Sequence, residues 1–142
     1  MIAIVDGGST KCDWVILEND GTEVLKTETV GFNPNITKPE LIAIELEKNQ
    51  ALTKFCDYLE NIFFYGSGCG TPENRLIVER EIQKVFTKSN IQVKEDLLAA
   101  AYAAYRGVPA IVCILGTGSN ACYFDGENVK TELPSLGFLI GD

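Results

Sequence analysis

The sequence predicts an α/β domain whose mixed β-sheet is flanked by helices, followed by strands that begin something new. Three observations carry this. Strand-like and helix-like apolar spacings follow one another in the order β-β-β-α-β-α-β-α as far as Arg106. The first three strands are joined by short glycine-bearing turns, as in an antiparallel meander. From Ala110 to Phe124 the chain then repeats its opening design of apolar strand, Gly/hydroxyl turn and apolar strand.

Ile2 to Val5 and Cys12 to Leu17 read as strands on either side of Asp6-Gly7-Gly8-Ser9-Thr10-Lys11, and Asn19-Asp20-Gly21 leads into a third, Glu23 to Val30. Beyond Asn33-Pro34-Asn35, Pro39 suits a first helical turn. Leu41, Ile44, Leu52, Phe55 and Leu59 then share one face, which predicts a helix to about Leu59. Ile62 to Tyr65 is a short buried strand, and after Gly66-Ser67-Gly68-Cys69-Gly70 a helix starts with Thr71 as N-cap and Pro72 at its first position. Asn90 to Val93 is another strand, and Asp96 to Tyr105 a helix of small residues that Gly107 and Pro109 end. Residues 1–107 are thus expected to form one lobe and residues 108–142 the start of another, with a further short strand from Asn128 to Leu133.

Composition narrows the function classes. A chain of 142 residues, 46% hydrophobic and 23% charged, has the makeup of an ordinary globular protein with a real core. Its net charge of −8, with no cluster of Lys or Arg, argues against nucleic acid or an anionic membrane as partner. A small anionic ligand stays open, because distant carboxylates are screened over about 8 Å at physiological salt. Five cysteines without a CxxC pair, and no basic segment leading into an apolar one, are expected of a reduced, cytoplasmic protein. The uncharged run from Gly107 to Phe124 is broken by Gly116-Thr117-Gly118-Ser119-Asn120 and does not read as a membrane span. There is no histidine, which removes Ser-His-Asp and Cys-His nucleophiles and His-ligated zinc. A general base must then be a carboxylate, or else Lys, Tyr or Cys.

The two glycine turns are the candidate chemistry. Singly, either could be an ordinary hairpin in which glycine supplies positive φ. A Walker loop is excluded, since GxxxxGK[ST] is missing and a strand follows where a helix should. As a pair, the glycines let backbone amides approach a polyphosphate from both sides, while Ser9, Thr10, Thr117 and Ser119 add hydroxyl donors. Asp6 could hold Mg²⁺ directly or through water, or simply initiate the turn.

The DGGSTK turn, the LGTGSN turn and the terminal LGFLIGD, spread over nearly the whole chain, resemble the phosphate and sugar motifs of the actin-like/hexokinase-type ATPase superfamily. The resemblance is specifically to the BadF/BadG/BcrA/BcrD ATPase family, which contains N-acetylglucosamine kinase. It implies a ribonuclease H-like first lobe, ATP and Mg²⁺ between the lobes, and transfer of the γ-phosphate to N-acetylglucosamine or a related hexose. On this resemblance Gly7, Gly8, Ser9, Thr10, Lys11, Gly116, Thr117, Gly118 and Ser119 bind the nucleotide, and Asp6 matches the acidic position near the metal. Asp96 matches the aspartate that takes the proton from the sugar hydroxyl; read alone, it fits a helix N-cap or first-turn residue as well. Asn33 matches the asparagine presented to the sugar, and before Pro34 it also fits a turn. Gly141-Asp142 resembles the start of the sugar-binding GDEGS segment. Ser135, Leu136 and Gly137 stand where the family has Gly-Trp-Gly, a departure that leaves the sugar open.

The Gly66 to Gly70 loop could serve as a third phosphate clamp, but ahead of a Pro-started helix it reads as a strand-to-helix connection facing the cleft, where it would line the sugar pocket. Two alternatives accompany the kinase reading: an activating ATPase of an acyl-CoA dehydratase system, with Cys69 and Cys122 toward an iron–sulfur cluster, and a nucleotide-binding domain without catalysis. If the resemblance holds, the chain stops soon after the second lobe begins. The fragment is then expected to be inactive alone, and its exposed strand edges invite a homodimer.

Overall fold

The computed structural model describes residues 1–116 and 119–131. The chain divides into two compact units, Met1–Asp96 and Leu97–Asp142. The first contains β1 (Ile2–Gly7), β2 (Lys11–Leu17), β3 (Glu23–Val30), α1 (Pro39–Lys48), α2 (Gln50–Thr53), β4 (Asn61–Gly66), α3 (Pro72–Val85) and β5 (Asn90–Glu95). Its five strands form one mixed sheet in the order β3-β2-β1-β4-β5. The meander β1-β2-β3 is antiparallel, and β4 and β5 add in parallel on the other side of β1. Parallel register pairs Gly7 with Gly66 and Gly66 with Glu95, so the carboxyl ends of β1, β4 and β5 finish level.

Period-two alternation builds the core. In β2, Cys12, Trp14 and Ile16 point inward between Lys11, Asp13 and Val15, and in β4 Ile62 and Phe64 do the same. Ile42 and Leu46 of α1 and Val78 and Ile82 of α3 close over this face. Each such fully buried side chain contributes about 1.5–3 kcal/mol from area removed from water.

One expected helix is two. The run from Pro39 toward Leu59 breaks at Asn49, which ends α1 and caps α2 by accepting from the Leu52 amide. The Asn49 Nδ2 donates to Thr27 Oγ1 at 3.1 Å and to the Glu28 carbonyl at 3.2 Å. The edge strand β3 thus claims a side chain that the apolar spacing alone would have left inside a helix. By contrast, α3 starts as expected, with Thr71 Oγ1 accepting from the Asn74 amide.

The second unit holds β6 (Ala110–Leu115), β7 (Ser119–Phe124) and β8 (Val129–Lys130) in an antiparallel sheet, against which α4 (Asp96–Ala104) packs. Leu97 and Ala101 of α4 cluster with Val112, Cys122 and Phe124, and the rings of Tyr102 and Tyr105 meet Phe124 edge-on at 5.8 and 5.3 Å. Small residues let the aromatic strand approach α4 closely. The division between units therefore falls at Asp96, ahead of the Gly107 boundary read from the sequence, because α4 packs on the second sheet. The expected strand from Asn128 to Leu133 is two residues long where it is described. Among the described residues no helix is long and apolar enough to cross a membrane.

Candidate functional site

In sheets with parallel strands, ligands collect at the carboxyl ends of the strands. Here those ends carry the Gly7–Lys11 turn, the Gly66–Gly70 loop and the Glu95-Asp96 junction. The first turn is a two-residue hairpin, closed by Gly8 N–H to the Lys11 carbonyl at 2.9 Å, with Ser9 and Thr10 at its tip. The reading in which its glycines supply positive φ is not met: among the described residues the glycines with positive φ are Gly21, Gly68, Gly107 and Gly126. Close approach explains them instead. A Cβ on Gly7 would enter the Phe64 ring, and one on Gly8 would stand 2.8 Å from the Lys11 carbonyl oxygen. Gly31 packs against the turn backbone and donates its N–H to the Thr10 carbonyl at 2.9 Å.

The hydroxyls of the turn divide by role. Thr10 is exposed at the tip, whereas Ser9 Oγ lies 3.0 Å from Ser67 Oγ. Asn33, only 7% exposed, donates through Nδ2 to both, at 2.8 and 3.2 Å. Lys11 points along its strand, 3.0 Å from Asp13 and 3.6 Å from Glu28, and Asp13 is the main cause of its raised pKa. Such solvent-exposed pairs are weak and screened, so they leave Lys11 able to turn toward an anion. Asp6 is exposed at the end of β1, in register with Asp13 and Tyr65.

The Gly66–Gly70 loop, read from sequence as a connection, is part of this site. Ser67 N–H donates to the Gly7 carbonyl at 2.7 Å; Gly68 takes φ +78°; Asn74 Nδ2 holds the Gly68 carbonyl at 2.7 Å and Asn35 Oδ1 at 3.0 Å. Gly70 faces Glu95, where a Cβ would sit 3.9 Å from Oε1. Burial first, then the Asp96 charge, raises the Glu95 carboxyl, and Arg75 opposes both. The buried Cys69 thiol is pushed up to about 12, first by burial and then by Asp96, with Arg75 opposing. Glu95, Asp96, Arg75 and Cys69 therefore share one electrostatic neighbourhood at the end of β5. Asn74, Arg75 and Glu95 escaped the sequence reading; the available signal was the glycine-rich loop directly after a buried strand, which that reading turned toward the cleft without naming its neighbours.

Of the second turn, Gly116 follows β6 and Ser119 opens β7, paired with Leu115. Thr117, Gly118, Ser135, Leu136, Gly137 and Asp142 lie outside the described residues. Asp96 is the first residue of α4 and follows β5 without an intervening loop. An open groove of about 490 Å³ flanks the first turn on the β3 and α1 side, lined by Thr10, Lys11, Glu28, Glu45, Lys48 and neighbours. Both of its lysines are paired with its glutamates, so an anion there has to draw a lysine from its pair.

Glycines that a Cβ would obstruct, beside an exposed hydroxyl and a lysine, fit a polyphosphate. Among the described residues no three Cys, Asp or Glu side chains group to hold a metal. Mg²⁺ commonly needs only one or two carboxylates, completing its shell with phosphate oxygens and water, and Asp6 fits that role.

Cys12 is likewise pushed up to about 12, chiefly by burial. Both thiols stay protonated in the fold above the ordinary value of 9.0. Their contribution is fully present below about pH 9 and is lost as pH rises from there toward about 12, since the unfolded chain ionises first. Urea unfolding across this range should show stability falling by up to about 1.4 kcal/mol per pH unit for each thiol. A Cys12→Ala, Cys69→Ala double variant should flatten that slope.

No family model matches the chain, and no curated protein matches it. Among solved structures it is similar over 100% of its length, at 35% identity and TM-score 0.90, to a candidate N-acetylglucosamine kinase from Porphyromonas gingivalis, of which it covers 50%. A ROK family protein from Streptococcus pneumoniae, in complex with sucrose, matches 96% of the chain at 16% identity and TM-score 0.58, with 50% of that protein covered. The inorganic polyphosphate/ATP-glucomannokinase of Arthrobacter sp. strain KM matches 94% at 14% identity and TM-score 0.57, with 62% covered. By fold the chain stands with the actin-like sugar kinases, and it spans about half the length of the first two of these structures.

Proposed function

We propose that this chain is the part of an ATP-dependent sugar kinase of the BadF/BadG/BcrA/BcrD type that carries the first nucleotide turn and the catalytic base, acting on N-acetylglucosamine or a related hexose. The observation that supports it most is the 35% identity and TM-score of 0.90 to the Porphyromonas gingivalis protein over this whole chain. Because about half of that protein is matched, the activity is proposed for the whole kinase, and the 142-residue chain alone is expected to turn over negligibly.

In this reading Gly7, Gly8 and Thr10 receive the phosphates, Lys11 turns from its surface pairs toward them, and Asp6 would hold Mg²⁺. When bound, Mg·ATP supplies the transferable phosphoryl group and neutralises its charge. Asp96 accepts the proton of the attacking sugar hydroxyl while the sugar oxygen bonds to phosphorus and ADP leaves with the electrons of the broken bond. Burial and the Asp96 charge raise the Glu95 carboxyl beside this base, and Arg75 opposes that rise. The test is a panel of hexoses and amino sugars with ATP and the whole protein, read as ADP released against sugar phosphate formed. One sugar giving matched amounts of both is the expected result, and ADP release that no sugar stimulates would defeat the reading.

A further inference from the structure

We propose that Asn74, in the first turn of α3, is a positioning residue for the sugar side of the site: it fastens the Gly66–Gly70 loop to the turn that begins at Asn33, and so sets where Asn33 stands. This rests on the kinase reading above, in which Asn33 is presented to the sugar and Asn74 acts through it. Thr71 caps α3, and Asn74 is the third residue inside the helix, its N–H bonded to Thr71 Oγ1 at 3.2 Å. A capping box has Glu or Gln at that position, with a side chain that turns back to the cap amide. The Asn74 side chain goes to the two loops instead. Its Nδ2 donates to the Gly68 carbonyl at 2.7 Å and to Asn35 Oδ1 at 3.0 Å, so both N–H groups are used, on segments 6 and 39 residues away. A backbone carbonyl only accepts, which fixes the nitrogen of Asn74 toward Gly68.

The two segments meet at Gly68. Its φ of +78° suits glycine, and a Cβ there would overlap Asn33 Oδ1 and stand 2.9 Å from Asn35 Nδ2. The Asn33 turn is closed by its own bonds: Oδ1 accepts from the Asn35 N–H at 3.0 Å, and the Asn33 carbonyl from the Ile36 and Thr37 N–H groups at 3.0 and 2.8 Å. Those bonds give the turn its shape but not its place over the loop. Asn33 Nδ2 also donates to Ser9 and Ser67 Oγ, and a sugar hydroxyl that takes this amide competes with those two bonds. The Asn74 bridge involves neither serine, so it keeps the turn against the loop while Asn33 changes partners. Its footing is rigid, because α3 buries Val78 and Ile82 in the core.

The experiment uses the whole kinase with three substitutions. Asn74→Asp keeps the shape, removes both donors and suits the first turn of a helix; Asn74→Ala removes the side chain; Asn35→Ala cuts the bridge at an exposed residue. Expected for each is a rise in sugar KM of about 2- to 10-fold, the worth of one hydrogen bond, with KM for Mg·ATP near wild type. In an Asn33→Ala background, Asn74→Ala should leave kcat/KM for the sugar where Asn33→Ala alone puts it, since the side chain being positioned is gone. A full additional loss there, a KM for Mg·ATP raised as much as that for the sugar, or unchanged kinetics would each overturn the proposal. If the wild type shows no sugar-dependent turnover, the kinase reading fails, and amide hydrogen exchange on the 142-residue chain judges the bridge alone. In Asn74→Asp, faster exchange at residues 35–37 and 67–69 together upholds it; unchanged exchange, or faster exchange confined to residues 72–75, sinks it.

Discussion

Asp96→Asn should lower kcat of the whole kinase by about 10²- to 10⁴-fold while leaving Mg·ATP affinity near wild type, the loss expected when a general base is removed and binding groups are kept. The substitution isolates the charge. Asparagine is nearly isosteric and suits the start of a helix as well as aspartate does, so α4 should form unchanged. The lost helix-dipole contribution of one carboxylate is about 0.3–1 kcal/mol, too little to unfold the protein. Because Asp96 helps raise the Glu95 carboxyl, the variant should also let Glu95 ionise at lower pH. Steady-state kinetics and calorimetric titration of Mg·ATP give both quantities. A kcat within a few-fold of wild type would return Asp96 to the role of an ordinary first-turn residue.

The strands and their turns were legible because each is specified locally. Alternation marks Cys12, Trp14 and Ile16 as inward, and Asn19-Asp20-Gly21 makes the second hairpin, with Gly21 at φ +89°. What was not legible depends on partners far along the chain. The break at Asn49 exists because Thr27 and Glu28 lie beside it, a proximity that only the folded β3 creates. The purpose of Gly7 and Gly66 is likewise invisible until the parallel register sets them side by side around Phe64. That register also sets the Gly66–Gly70 loop, a connection expected to face the cleft, directly beside the first turn. Asp6, Thr10 and Lys11 stand at the strand ends where the sequence placed them. The pairing of Asn33 with Ser9 and Ser67 could not be read from the GFNPN stretch, which specifies a turn equally well.

Trp14→Ala should cost about 3–5 kcal/mol, a large share of the 5–15 kcal/mol typical of a native domain. Trp14 is fully buried at the middle of β2, stacked on Phe86 at 6.0 Å and tilted against Phe64 at 6.5 Å, and its Nε1–H donates to Thr29 Oγ1 at 3.1 Å. Removing the indole opens a cavity that neighbours in the sheet cannot fill, since β2 is hydrogen-bonded on both edges. Trp14→Phe separates the contributions: it keeps most of the apolar contact, loses the N–H donor, and should cost nearer 1–2 kcal/mol. As the sole tryptophan is lost in either variant, urea unfolding is followed by circular dichroism. The damage should also reach the site. Phe64, which Trp14 supports, is the ring against which Gly7 and Gly66 lie, so in Trp14→Ala amide exchange should quicken at those two glycines before the fold as a whole opens. Unchanged protection there would mean that the carboxyl ends of β1 and β4 are held by their mutual hydrogen bonds and not by the aromatic core beneath them.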